Sequence, residues 1–335
     1  MTRRTVLAWR CSALLGAAPV GAGAARAAAH AQPPTAADAQ LCTQASDGAR
    51  YPEALARMRA AARAGGAAGA FAEGCVYMGE ARYDRASGSF ERAVAADGSS
   101  AVAHFFLGQA YSARARLANP LKQAGLACKT RDAFERAVAL DPDYLDARDG
   151  LVSYYLLAPG VLGGSVERAR AEAAEIRRRD AYRGGVALAQ IAIHERNPEE
   201  AAGALEALVR QYPDSAAPYA ALATGYERQR RWAEAWEVTE RMLRAMPNAP
   251  VARYVLGRVA QESGQQLERG AAALARYVAA GEPRPGDPPL ANAHWRLGLI
   301  YEQQGKKDAA RAEFEAALRL DPSLAGAREG LERTR

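Results

Sequence analysis

Runs of β-branched and aromatic residues are nearly absent from this chain, and aromatics make up only 7% of it. That excludes a fold built on strands, which draw on Val, Ile, Thr and aromatic side chains. Alanine, arginine, leucine and glutamate dominate instead, and these residues lose little on entering a helix. The composition is that of an all-α protein. Beyond the N-terminal leader no stretch reaches the ~18 apolar residues that a bilayer span needs, so no membrane span is expected.

Motifs that carry chemistry are equally scarce. There are four histidines, and no H-E-x-x-H: "HERNP" at His194 stops after two letters. No C-x-x-C occurs, and no serine or cysteine nucleophile sits in a recognisable context. The stretch "YYLLAPGVLGGSVERA", residues 154–169, feeds a glycine-rich turn into a helix, a context that can cradle a phosphate. It lacks the Lys-Ser/Thr pair of a P-loop and the G-x-G-x-x-G of a dinucleotide site, and no strand precedes it. Gly160, Gly163 and Gly164 are read as positive-φ residues of a lengthened turn, and Ser165 as an N-cap. No enzyme activity, cofactor or metal is expected.

The net charge of +6 is uneven. Residues 1–31 hold Arg3, Arg4, Arg10 and Arg26 and no acid, so removing them leaves about +2. Elsewhere arginine and glutamate interleave as on solvated helix faces, and no nucleic-acid partner is expected. The leader has a basic start, an apolar middle and an A-x-A site at Ala29-His30-Ala31 (Ala25-Arg26-Ala27 is a second), which is the organisation of an export signal. "TRRTVL" resembles the twin-arginine export motif, and an ordinary Sec signal is the other reading. The expectation is a signal peptide over 1–31 and a periplasmic mature chain.

The chain also repeats itself. "FERAVALDP" (134–142) returns as "FEAALRLDP" (314–322), and "FERAVAADG" (90–98) is a weaker copy. Upstream of the last full copy, "WRLGLIYEQQGKKDAARAEF" (295–314) has Leu-Gly, a Tyr three residues on, a Gly at a turn, a small residue and a Phe. This resembles the tetratricopeptide repeat (TPR), and the "AP…GG" turn is similar to that of exported bacterial members. The resemblance implies a right-handed α-solenoid of about eight helix pairs over 32–335. Its units lie near 35–66, 67–100, 101–144, 145–181, 182–215, 216–249, 250–290 and 291–324, with a capping helix at 325–335. Small residues let each helix A approach its helix B, large ones fill between, and Pro ends helix B. The third unit carries about ten extra residues, within "SARARLANPLKQAGLACKTRD", and the fourth about five. Both insertions are expected as loops between A and B helices.

In this register the A helices line an inner groove, and helical spacing aims repeat positions 2, 5, 9 and 12 into it. The residues there include Phe105, Gln109, Asp149, Ser153, Gln190, Ile193, Thr224, Glu227, Tyr254, Arg258, Asn292, Trp295 and Glu302. Phe105, Gln109, Gln190, Tyr254, Arg258 and Trp295 are the candidate partner-binding residues, since aromatics and arginine carry most interface energy. The bland alternative for Trp295 is packing against the Pro-rich linker "GEPRPGDPP". The Lys/Asn/Arg carboxylate clamp of some TPR grooves is not matched. Cys42 and Cys75 fall at neighbouring positions of adjacent A helices, which permits a disulfide in an oxidising compartment. Two small buried packing residues is the other reading, and Cys128 is read as a free thiol. The function expected is an exported, monomeric scaffold that binds a protein or peptide partner. A solenoid that binds a small anion or glycan is the alternative.

Overall fold

The computed structural model describes residues 33–281, 283 and 286–334, and the segment read as a signal peptide lies outside them. Seventeen α-helices and no strand are formed by the described residues. The chain divides into two compact units, one ending at Ala187 and the other starting at Leu188.

The first unit holds α1 (Ala36–Ala45), α2 (Pro52–Ala61), α3 (Gly66–Gly79), α4 (Tyr83–Ala96), α5 (Ala101–Leu117), α6 (Pro120–Leu140), α7 (Leu145–Leu157) and α8 (Val166–Arg179). The boundary falls within α9 (Ala181–His194). The second unit holds α10 (Pro198–Gln211), α11 (Ala216–Arg228), α12 (Trp232–Ala245), α13 (Pro250–Ser263), α14 (Leu267–Ala279), α15 (Leu290–Gln303), α16 (Lys307–Leu320) and α17 (Ala325–Arg333). Within each unit consecutive helices pack as antiparallel neighbours, and α17 packs on α16 and α15. This is the all-α solenoid of helix pairs with a terminal capping helix.

Local chemistry sets the helix ends. Thr35 and Asp38 form a capping box on α1, each side chain taking the other's backbone N–H. Asn119, Ser165 and Asn197 cap α6, α8 and α10. Proline opens α2, α6, α10 and α13, where its missing N–H has no partner to lose.

The A–B contacts are close because glycine faces an aromatic ring. A Cβ on Gly108 of α5 would lie 2.6 Å from the Phe134 ring of α6, and one on Gly150 of α7 would lie 3.0 Å from it. The last pair repeats this: Phe314 of α16 sits between Gly298 of α15 and Gly330 of α17, at 2.7 and 2.5 Å. A side chain at either glycine would overpack the ring, at about 1–3 kcal/mol.

The third unit's insertion is not a loop. It lengthens both helices, to 17 residues in α5 and 21 in α6, joined through Ala118 and Asn119. The stretch contains a single strong breaker, Asn119-Pro120, and that pair starts α6 rather than interrupting it. The fourth unit's insertion is a turn: a 3-10 segment, Gly160–Leu162, then Gly163 with φ 98°. Gly163 alone of the three glycines has positive φ. Gly164 is there for space, since a Cβ would lie 1.8 Å from the Ala158 carbonyl oxygen.

Candidate partner-binding clefts

In the first unit a cleft of about 1020 Å³ opens along α5, α6 and α7. Phe105 forms its floor, a buried ring set edge-on to Phe106 and Tyr144 and tilted against Phe134, with centroids 5.1–5.8 Å away. Exposed Gln109, one turn along α5, and Ser153 of α7 give it a polar wall. Leu157 of α7 leaves an exposed apolar edge. Gln123, Ala124 and Ala127 come from the stretch of α6 that the insertion lengthened.

The two acids of this cleft are already matched. Arg183 of α9 pairs with both Asp146 and Asp149 of α7. Burial nevertheless holds the Asp149 carboxyl above the ordinary carboxylate value, against the pull of Arg183.

The second unit has a smaller cleft, about 560 Å³, lined by α10 and α11 with half-exposed Ile193 and the largely covered Thr224 and Arg258. Arg258 donates to the Glu227 carboxylate at 3.2 Å and to the Ala220 carbonyl at 3.4 Å. The candidate residues therefore separate. Phe105 and Gln109 meet in the first cleft, and Arg258 lines the second. Gln190 is exposed on α9 and lines neither.

Tyr254 and Trp295 are not groove-facing as expected. Tyr254 is buried, its ring 5.4 Å from that of Tyr277, and its hydroxyl accepts from Arg296 Nε at 3.2 Å. Trp295 is half-buried in the cluster around Phe314 and lies against Gly326 of α17, where an added Cβ would sit 2.8 Å from the indole. The capping helix covers it. Its Nε1 is buried without a hydrogen-bond partner.

The repeat register hid one feature: arginines on A-side helices bind acids one repeat away. Beside Glu227–Arg258 stand Glu262–Arg296 at 3.0 Å and Glu302–Arg333 at 2.7 Å, each between successive A-side helices. The signal was an acid and an arginine 31–34 residues apart on one face.

Cys42 of α1 and Cys75 of α3 are disulfide-bonded, with Cα atoms 5.1 Å apart. Closing a loop of 33 residues restricts the unfolded chain by about 3–4 kcal/mol. In the full chain Cys128 is also disulfide-bonded, where the sequence reading, made for the chain without its leader, gives a free thiol. His104 and His294 pack at equivalent sites. His104 meets the Gly98 carbonyl at 3.3 Å, and burial lowers its pKa. His294 meets Glu313 at 2.6 Å. Among the described residues no group of three or more His, Cys, Asp or Glu is placed to hold a metal, and no helix is long and apolar enough to cross a membrane.

Comparison with known proteins agrees with this architecture. Sequence profiles described as "Tetratricopeptide repeat" match residues 291–324, and 71–119 and 186–250. Similar solved structures include a tetratricopeptide repeat protein from Parabacteroides merdae, at 14% identity, over 80% of this chain and 98% of that one, with a TM-score of 0.50. Yeast Tom70 is similar at 12% identity, over 80% of this chain and 56% of that one, with a TM-score of 0.56. At these identities the likeness is one of fold. No curated protein matches the chain in sequence.

Proposed function

Because this chain is a tetratricopeptide repeat protein, we propose that it is a scaffold that holds a segment of a partner protein in the cleft along α5, α6 and α7. The cleft itself carries the reading: about 1020 Å³, with Phe105 as floor and Gln109 and Ser153 as polar wall. Such a lining suits an extended segment, which would set an apolar side chain on the ring and its backbone amides against the wall. The role needs no catalytic step. A small anion or glycan is the weaker reading, because it needs uncommitted cations. Arg183 and Arg258, the less exposed arginines of the two clefts, are both held by carboxylates, and the other arginines of the linings, Arg116, Arg196 and Arg228, are exposed.

The leader adds the compartment: its basic start, apolar middle and A-x-A site support export of residues 32–335 to the periplasm. A periplasmic protein beginning at Gln32, read by intact mass, is the expected result. A full-length chain confined to the cytosol would overturn that part.

The cleft is tested by placing a photo-crosslinking amino acid at Gln109, at Ser153 and at Arg136, an exposed α6 residue outside the lining. The expected outcome is one protein crosslinked from the two cleft positions and not from Arg136. Equal capture from all three, or none from the cleft, would sink the reading.

A further inference from the structure

The lengthened α5–α6 hairpin does more than wall the groove. Its outer side and the start of α4 enclose a second, separate cleft of about 780 Å³. Arg82, Arg85, Arg114 and Lys122 line it, with Asp84 as the one acid. Arg114 pairs with Asp84 at 2.6 Å. Behind the wall, Glu80 is shared by Arg59 at 3.0 Å and Arg82 at 3.3 Å. Five cations thus face two carboxylates. Arg85 and Lys122 make no ion pair among the described residues.

Two of these cations also lie over an aromatic ring, and of the two only Arg82 has a carboxylate partner, Glu80. The guanidinium carbons of Arg82 and Arg85 lie 5.0 and 5.8 Å from the centre of the Tyr77 ring. That contact orients a cation and leaves its charge available. Within the lining Leu117 is bare, 76% exposed, and Leu121, next to Lys122 in sequence but outside the lining, is 91% exposed. Arg59 holds the Glu80 carboxyl below its ordinary value, which agrees with a positive local field.

We propose that this cleft docks an acidic peptide segment of a partner protein, one that alternates carboxylates with apolar side chains. The carboxylates would meet Arg85, Lys122 and the unmatched share of Arg82. The apolar side chains would cover Leu117 and Leu121. A sulfated glycan offers charge but nothing to bury those leucines, and a membrane surface is too flat to enter a cleft.

The test is fluorescence anisotropy on the full chain with a labelled peptide, Asp-Glu-Leu-Asp-Glu-Leu-Asp, and its amide counterpart, Asn-Gln-Leu-Asn-Gln-Leu-Asn. The acidic peptide is expected to bind, with affinity that falls as salt rises, and the amide peptide at least tenfold more weakly. Arg85→Glu with Lys122→Glu should weaken the acidic peptide at least tenfold, and Leu117→Ser with Leu121→Ser several-fold. Arg136→Glu, an equal charge reversal at an exposed α6 residue outside both clefts, should change affinity less than twofold. All four positions altered in and beside this cleft are exposed, so an unchanged helical CD spectrum is expected. Three results would overturn the proposal: no binding at about 1 mM peptide, binding indifferent to the charge reversals, or heparin or phosphatidylglycerol vesicles bound through Arg85 and Lys122 where the peptide is not.

Discussion

Arg258 of α13 aims its Nε at the Glu227 carboxylate of α11, 3.2 Å away, and the two side chains are only 17% and 10% exposed. A pair this dry is attracted strongly and desolvated strongly, and the second effect can win. Here it does: burial holds the Glu227 carboxyl above its ordinary value although Arg258 and Arg296 both pull it down. Arg258→Ala should therefore destabilise the protein by about 2–4 kcal/mol, because it strands a carboxylate. Replacing both partners by apolar residues, Glu227→Leu with Arg258→Met, should cost less than Arg258→Ala alone. Urea denaturation of the single and double variants checks this, and additive costs would refute it.

The same row of inter-helix pairs predicts two opposite pH trends. Glu227 is raised above 4.5 in the folded state, so the fold holds its proton longer than the unfolded chain does. Its contribution is present below 4.5 and lost as pH rises through the folded value. Glu302 is lowered from 4.5, first by its hydrogen bond from Arg333. Its contribution is present above 4.5 and lost as pH falls through the folded value. Glu302→Gln should thus cost about 0–1 kcal/mol at neutral pH, the exposed pair being screened, and the difference should vanish in acid. Glu227→Gln should instead gain on the wild type as pH rises. Stability measured from pH 3 to 7 on the three proteins separates the trends.

Strain in the turns gives a third outcome. Four A–B turns share one design, in which the middle residue of three is left-handed: Ala81, Arg196 and Arg230 with φ of 54–57°, and Gly305 with φ of 74°. The first three carry a Cβ where glycine would not, at about 1–2 kcal/mol each. Arg230→Gly should stabilise by about 0.5–1 kcal/mol, the gain reduced by the freer unfolded chain. Gly305→Ala should destabilise by about 1 kcal/mol. Thermal unfolding of both variants measures the pair, and a destabilising Arg230→Gly would count against the turn argument.

These turns also show what the sequence could reveal. The repeated "FERAVALDP" and "FEAALRLDP" made the helix pairs readable, because Phe134 and Phe314 need glycines opposite them and Pro142 and Pro322 end their helices. Where Ala81, Arg196 or Arg230 replaced the turn glycine, the repeat was faint but the backbone stayed the same, since packing overrides a cost of this size. The insertion was readable in length and not in form, because its one strong breaker, Asn119-Pro120, reads equally well as a loop or as the start of a helix. The groove was readable as a face only. Helical spacing says where a side chain points, but whether Arg258 meets solvent or Glu227 depends on the neighbouring repeat. The cationic cleft joins residues from α4, α5 and α6, so no single stretch announced it.

Trp295 gives the sharpest check on that limit. Spacing aimed it at the groove, and the structure instead lays α17 across it, with Gly326 against the indole and Leu324, Ala327 and Leu331 in the same cluster as Phe314. A Trp that covers a cap contact and a Trp that waits for a partner differ when the cap is removed. Deleting residues 324–335 should move the Trp295 emission to longer wavelength as water reaches the ring. It should also cost about 2–4 kcal/mol, from the apolar area uncovered on α15 and α16. Trp232 and Trp236 emit as well, so the Trp295 signal is read as the difference between each protein and its Trp295→Phe counterpart. An emission maximum that stays fixed on truncation would mean α17 does not shield the ring, and would return Trp295 to the set of groove residues.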